Sequence, residues 1–218
     1  MKLTDFQSLV FDCDGVILDA NAVKTNAFYQ AALPYGEGAA RELRNYHVAN
    51  GGISRYRKFH HFLEQIVPAG SSGPSMDELL AHYAEAVRQG LSECRVAPGL
   101  TQLRAATPNA TWCVVSGGDQ QELRAVFAER QLDHLFDGGI YGSPDTKEQI
   151  TEREMHNGTI RTPAVFIGDS RYDFEVSRES GMDFIFLTDW SEVTDYSELF
   201  GTSPVLVENN IESLLAYA

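Results

Sequence analysis

In the stretch LVFDCDGVILD, residues 9–19, an apolar run ends in Asp12 and Asp14, with Asp19 close behind. Acids are disfavoured in strand interiors and in buried positions, so two carboxylates at the end of such a run call for a chemical reason. A pair set two residues apart can divide labour: one carboxylate can ligate a metal and attack, while the other carries a proton. Gly15 lets the chain turn tightly there and can expose amide N–H groups to an anion. Two further apolar runs end in polar groups. CVV is followed by Ser116, Gly117 and Gly118; AVFI is followed by Gly168, Asp169 and Ser170, with Asp173 four residues past Asp169. Brought together, these acids would place up to four negative charges in one crevice. Each close pair repels by about 4 kcal/mol at ~4 Å and an effective dielectric of ~20. Such a cluster needs a cation. Carboxylate and water oxygens suit Mg²⁺, and the lack of a neighbouring histidine or cysteine cluster argues against zinc.

The groups converge only if the runs that carry them are parallel strands of one sheet. SLVF (8–11), TWCVV (111–115), AVFI (164–167) and FIFL (184–187) have the short continuous apolar character of strands covered on both faces, and PVLV (204–207) and GGIY (138–141) are weaker candidates. Helical segments alternate with them. Asp119 with Glu122 marks one helix start, Pro98 opens a helix near Leu100, and Gly181 ends a helix that begins near Tyr172. The alternation predicts a Rossmann-like, doubly wound α/β sheet, in which functional groups lie just beyond the C-terminal ends of the strands. From about residue 20 to 95 only helices are expected. Ser75 and Glu78 form a capping box ahead of a stripe through Met76, Leu79, Leu80, Tyr83, Ala84 and Val87, and Tyr56, Phe59, Leu63 and Ile66 form a second stripe. Residues 68–75 read as a turn between the two. A crossover needs only a dozen residues or so, so residues 20–95 are expected to form a helical domain inserted into a core made of 1–19 and 96–218.

The chain has 218 residues, 43% of them hydrophobic, and a net charge of −14, which argues against a nucleic-acid partner and requires the site to supply its own positive charge for an anionic substrate. Three cysteines, Cys13, Cys94 and Cys113, without CxxC spacing, suggest a reducing compartment and no disulfide framework. No leader-like apolar stretch and no membrane-length apolar run is present, so a cytoplasmic protein with no membrane partner is expected.

In order along the chain, FDCDGVILD, CVVSGGD with Ser116, Lys147 in GSPDTKEQI, and GDSRYD with Asp169 and Asp173 resemble the four motifs of the haloacid dehalogenase superfamily. The helical insert is similar to the cap of its phosphoglycolate phosphatase and β-phosphoglucomutase group. That resemblance implies a Mg²⁺-dependent phosphatase acting on a small phosphate monoester, a sugar phosphate or a phosphoglycolate-like acid. Asp12 would be the nucleophile that becomes an aspartyl phosphate, and Asp14 the general acid and base. Asp12, the Asp14 carbonyl and Asp169 would ligate Mg²⁺, and Asp173 would position a metal-bound water or Lys147. Gly15, Ser116, Gly117 and Lys147 would bind the phosphoryl group. Asp14 argues against a haloacid substrate, because a departing halide needs no proton. In the insert, Gly52 and Arg55 lie in a G-x-S-R stretch that faces the active site in related caps, and Arg55 is expected to pair with a second anionic group. Tyr56 and Phe59 read as cap core, Asp19 as a hinge residue, and His60 and His61 as ordinary helix histidines. A phosphomutase on the same scaffold and a catalytically silent binding protein remain the alternatives; oligomeric state is open.

Overall fold

A computed structural model describes residues 1–68 and 70–218. Six strands, β1 (Ser8–Phe11), β2 (Thr111–Asp119), β3 (Ile140–Ser143), β4 (Ala164–Gly168), β5 (Asp183–Leu187) and β6 (Leu206–Glu208), form one sheet in the order β3-β2-β1-β4-β5-β6, with every neighbouring pair parallel. Successive side chains alternate between the faces. Leu9 and Phe11 join Trp112 and Ile167 in one apolar layer, whereas Val10 joins Cys113, Phe166 and Phe186 in the other. Coverage of both faces explains why the strands read as continuous apolar runs. Cys13 and Cys113 are buried free thiols, and Cys94, also free, is partly buried.

The chain leaves β1 outward on one side for β2 and β3, then on the other side for β4, β5 and β6. The switch in direction lies at β1, which is paired on either side with β2 and β4. Phe11 stands opposite Val114 and Ile167, so Asp12, Ser116 and Asp169 all fall within two residues of one level at the C-terminal edge. A crevice at such a point is where open α/β sheets bind ligands.

β2 does not stop at Val115 as the apolar run suggests. It continues to Asp119 through an irregularity in its register with β3, and Ser143 Oγ donates to the Gly117 carbonyl at 2.6 Å. Pro98 precedes the cap of its helix instead of opening it: Gly99, at φ +81°, is the N-cap of α5 (Leu100–Ala106). The remaining core helices are α6 (Gln120–Glu129), capped by Asp119, α7 (Lys147–His156), α8 (Arg171–Glu179) and the short α9 (Tyr196–Leu199). Gly181 takes φ +68° just past the end of α8, as a helix-terminating glycine should.

Between β1 and α5, the described residues hold α1 (Asn21–Ala32), α2 (Glu37–Ala49), α3 (Arg55–His61) and α4 (Met76–Glu93), with no strand among them. Ser75 and Glu78 make the expected capping box on α4. The turn expected over 68–75 includes Ala69, which lies outside the described residues. Helices α1 to α4 pack around Phe28, whose ring centre lies 4.4 Å from that of Tyr83, 5.1 Å from Phe59 and 4.6 Å from His47. Tyr56 is not part of this core: its hydroxyl reaches out of the insert and donates to Asp119 at 2.9 Å. Tyr56 lies near the start of α3, where its long side chain extends to Asp119 at the end of β2, while Phe59, three residues further along, packs on Phe28. Asp19 and Arg95 mark the two crossings between sheet and insert. They are bound side chain to side chain at 2.7 Å, and the Asp19 N–H donates to the Arg95 carbonyl at 3.0 Å.

Because Phe28 ties α1 to the three other helices of the insert, Phe28→Ala should lower unfolding free energy by about 3 to 5 kcal/mol, measured by urea denaturation, with the midpoint shifted well down.

Candidate active site

Asp12 lies one residue beyond the end of β1, almost fully buried, and its backbone N–H still donates into the sheet, to the Ile167 carbonyl at 2.9 Å. Its Oδ1 accepts from the Cys13 N–H at 2.7 Å, and its Oδ2 lies 2.9 Å from Lys147 Nζ. Lys147 is the first residue of α7, where the helix dipole disfavours a cation. Two carboxylates offset this: Asp12, and Asp173 Oδ1 at 2.5 Å. Burial alone would lower the affinity of the Lys147 ammonium for its proton, but Asp12 and Asp173 outweigh it and raise that affinity. Burial pushes the Asp12 carboxyl up to about 7, against the pull of Lys147 and with the charges of Asp173 and Asp14 adding to the rise.

Asp173 sits in the first turn of α8. Its Oδ2 accepts from the Ser170 N–H at 3.1 Å, from Ser170 Oγ at 2.6 Å and from the Asp169 N–H at 3.3 Å, closing a capping box. Both of its oxygens are therefore occupied. Asp169 Oδ2 accepts from Asn21 Nδ2 at 2.8 Å, and its carboxyl is raised well above the usual range by burial, then by the charges of Asp12 and Asp173.

One carboxylate oxygen from each of Asp12, Asp169 and Asp173 falls within a 4.8 Å cluster. Asp173 Oδ2 already accepts from three donors and its Oδ1 is held by Lys147, whereas Asp12 has one partner on each oxygen and Asp169 accepts from Asn21 alone, so Asp12 and Asp169 keep the most lone-pair capacity for a cation. Two buried carboxylates with elevated proton affinity, and oxygen as the sole donor type, fit a hard divalent ion.

Asp14 Oδ2 is 2.5 Å from Lys24 Nζ on α1, while its Oδ1 is buried without a hydrogen-bond partner. Burial would lower the Lys24 proton affinity, but Asp14 reverses that and raises it. Ser116 is fully buried and its Oγ accepts from the Gly118 N–H at 3.1 Å. Gly15 serves a different purpose from the one its position suggested. Its N–H donates to the Leu18 carbonyl at 2.9 Å and is not free for an anion. Its φ of +76° closes the turn, and a Cβ there would collide with the Asp169 carboxylate. Gly117 likewise marks a close approach, since a Cβ would run into the Gly52 carbonyl of the insert. Gly52, at φ +80°, faces Ser170, Tyr172 and Lys147.

The insert thus closes directly over the strand tips. Arg55 lines the cavity with Asp12 and Asp14, but its guanidinium is bound to Glu122 through both terminal nitrogens and lies 4.6 Å over the Tyr83 ring. Sequence reasoning missed Asn21, Lys24, His47 and Lys58, all of which line the same cavity. Asn21 and Lys24, three residues apart on the first helix after the acids, present one polar helix edge toward Asp169 and Asp14. That spacing was a usable signal; His47 and Lys58 gave none.

Residues 9–187 match the sequence profile of the family described as Haloacid dehalogenase-like hydrolase. The chain belongs to this family. No curated protein matches. Among solved structures, this hydrolase is similar in fold to a hydrolase from Pseudomonas syringae (TM-score 0.75, 17% identity, 97% of each chain covered). A predicted phosphoglycolate phosphatase from Haemophilus somnus 129pt is also similar (0.73, 14%, 97% of each). So is a β-phosphoglucomutase from Clostridium difficile (0.72, 16%, 94% of this chain and 92% of that one). No helix among the described residues is long and apolar enough to cross a membrane.

Burial, then the charge of Lys24, pushes the Lys58 ammonium down to about 7. Lys147 acts in the same sense as Lys24, while Asp14 and Glu192 oppose them; His47 touches the group directly. Between about pH 7 and the unfolded value near 10.5 the unfolded chain holds this proton and the folded one does not. Stability therefore gains from this group as pH rises through that window. Urea denaturation at pH 7 and pH 9 should show a gain in the wild type that is reduced in Lys58→Met.

Proposed function

We propose that the protein is a Mg²⁺-dependent phosphatase that hydrolyses a small phosphate monoester in two steps through Asp12. The observation that carries this reading is the buried bridge of Lys147 between Asp12 and Asp173, with Asp169 facing Asp12 across the strand tips. Asp12, Asp169 and the backbone carbonyl of Asp14 would hold the ion. When bound, Mg²⁺ supplies positive charge to the phosphoryl oxygens and keeps the Asp12 carboxylate ionised at neutral pH.

The rest of the chemistry falls to the chain's own residues. Lys147 fixes the Asp12 carboxylate through one oxygen, which leaves that group aimed as a nucleophile. Attack by Asp12 forms an acyl phosphate as the ester oxygen departs. Asp14 delivers the proton to that oxygen and later removes one from the water that cleaves the acyl phosphate. Lys24 holds Asp14 by one oxygen, and the unpartnered Oδ1 is the one left for the proton. Lys147 and Ser116 contact the phosphoryl oxygens as negative charge develops on them. Asp173 keeps Lys147 in place. Gly117 contributes by letting the insert approach, and the closed insert, hinged at Asp19 and Arg95, limits water at the reacting bond. The segments 1–19 and 96–218 serve as the catalytic core and 20–95 as the cap. The likeness to a protein described as a phosphoglycolate phosphatase supports the reaction class, as does Asp14, which a halide-releasing enzyme would not need.

Purified protein with Mg²⁺ should release inorganic phosphate steadily from a panel of phosphate esters. EDTA should abolish release, Asp12→Asn should reduce it below detection, and Asp14→Asn should lower kcat by about 10²- to 10⁴-fold. No release from any ester would sink the phosphatase reading. Isomerisation of a sugar phosphate without net release would assign the site to a phosphomutase.

A further inference from the structure

Lysine and arginine side chains buried among the described residues are Lys24, Arg55, Lys58 and Lys147. Three of them have a carboxylate partner: Asp14 for Lys24, Glu122 for Arg55, and Asp12 with Asp173 for Lys147. Lys58 has none within 4.0 Å among the described residues, although it is 2% exposed. Its Nζ lies 2.7 Å from His47 Nδ1 and 5.4 Å from the centre of the Phe28 ring. In its ammonium form Lys58 can only donate, so His47 Nδ1 is then the acceptor and the imidazole proton sits on Nε2. That Nε2–H is itself buried and makes no hydrogen bond. Its nearest carboxylate, Glu192, is 4.0 Å away through Oε2 and is tied through Oε1 to Thr25 Oγ1 at 2.8 Å.

A buried amine without a counter-ion and a buried imidazole N–H without an acceptor therefore stand side by side, and both residues line the cavity that contains Asp12 and Asp14. A buried cation without a counter-ion is costly to keep, and a carboxylate or phosphate oxygen would satisfy both groups at once. Arg55, the cation that the sequence points to, is already neutralised by Glu122.

We propose that Lys58 and His47 form a subsite for a second anionic group of the substrate, so that the protein selects small phosphate esters that also carry a carboxylate or a second phosphoryl group. The inference rests on the phosphatase reading for what occupies the Asp12 end. The cavity is about 50 Å³, room for a few waters at ~10–15 Å³ each. The two anionic groups are thus joined by a short carbon chain.

The test is calorimetric titration of Asp12→Asn protein with Mg²⁺ and three probes: 2-phosphoglycolate, ethylene glycol bisphosphate, and 2-hydroxyethyl phosphate, which lacks the second charge. At least one doubly anionic probe should bind about ten- to hundredfold more tightly than 2-hydroxyethyl phosphate, the range for a charge-assisted hydrogen bond. Which of the two it is separates carboxylate from phosphate. Adding Lys58→Met should bring the three Kd values within about twofold of one another, with Lys58→Gln in its place if the methionine variant does not fold. Equal Kd values before that substitution, no detectable binding of any probe, or a preference that survives it would each overturn the proposal. Phosphate release by the wild type reads the reaction class separately. Equal release from 2-phosphoglycolate and 2-hydroxyethyl phosphate keeps the phosphatase and removes the subsite. A binding preference with no release from any ester keeps the subsite and removes the phosphatase.

Discussion

Lys147 between Asp12 and Asp173 is the interaction on which the rest of the site depends. All three groups are buried, and none would be tolerable there alone. Their pairing at 2.9 and 2.5 Å lets β1 end in a carboxylate without breaking the sheet's apolar layers. The same bridge fixes α7 against α8. Asp173 caps its own helix with one oxygen and holds Lys147 with the other, so the lysine's position is set by the fold of α8 as much as by α7. Remaining negative charge, on Asp12 and Asp169, is left facing the crevice, where a cation is the physical remedy.

A second layer of control comes from the insert. α1, the first helix after β1, places Asn21 on Asp169, Lys24 on Asp14 and Thr25 on Glu192. Every one of these contacts joins insert to core. They form where the Gly52 carbonyl meets Gly117, a contact that any side chain at Gly117 would block. Closure of the insert and the surroundings of Asp14 and Asp169 are therefore parts of one arrangement. Lys24 compensates the charge of Asp14 only while α1 is seated as it is here.

The sheet was readable because strands covered on both faces must be apolar throughout, and the runs at 8–11, 164–167 and 184–187 are. The helical insert was readable because Leu79, Tyr83 and Val87 keep helical spacing and Ser75 with Glu78 marks a start. β2 was cut short because Ser116, Gly117 and Gly118 look like a loop, and what holds them extended is pairing with β3, a partner distant in sequence. Tyr56 was assigned to the cap core because aromatic character says nothing about which side of a short helix meets a polar partner. Gly15 was given an anion-binding role from its freedom to turn; the turn is there, but its amide is spent on Leu18.

What the sequence by itself determined is the set of acids and their order: Asp12, Asp14, Asp169 and Asp173 follow or closely trail apolar runs that can only be strands, and parallel strands bring their ends together. Lys147 became legible through the family's motif order rather than its surroundings. Only the tertiary structure decided which cations are spent and which are free. Arg55 and Lys58 stand three residues apart on one helix, and nothing local distinguishes them. Glu122 reaches one across the chain and no carboxylate among the described residues reaches the other. Charge compensation is a property of groups that meet in space, so it is settled only when the helices have packed.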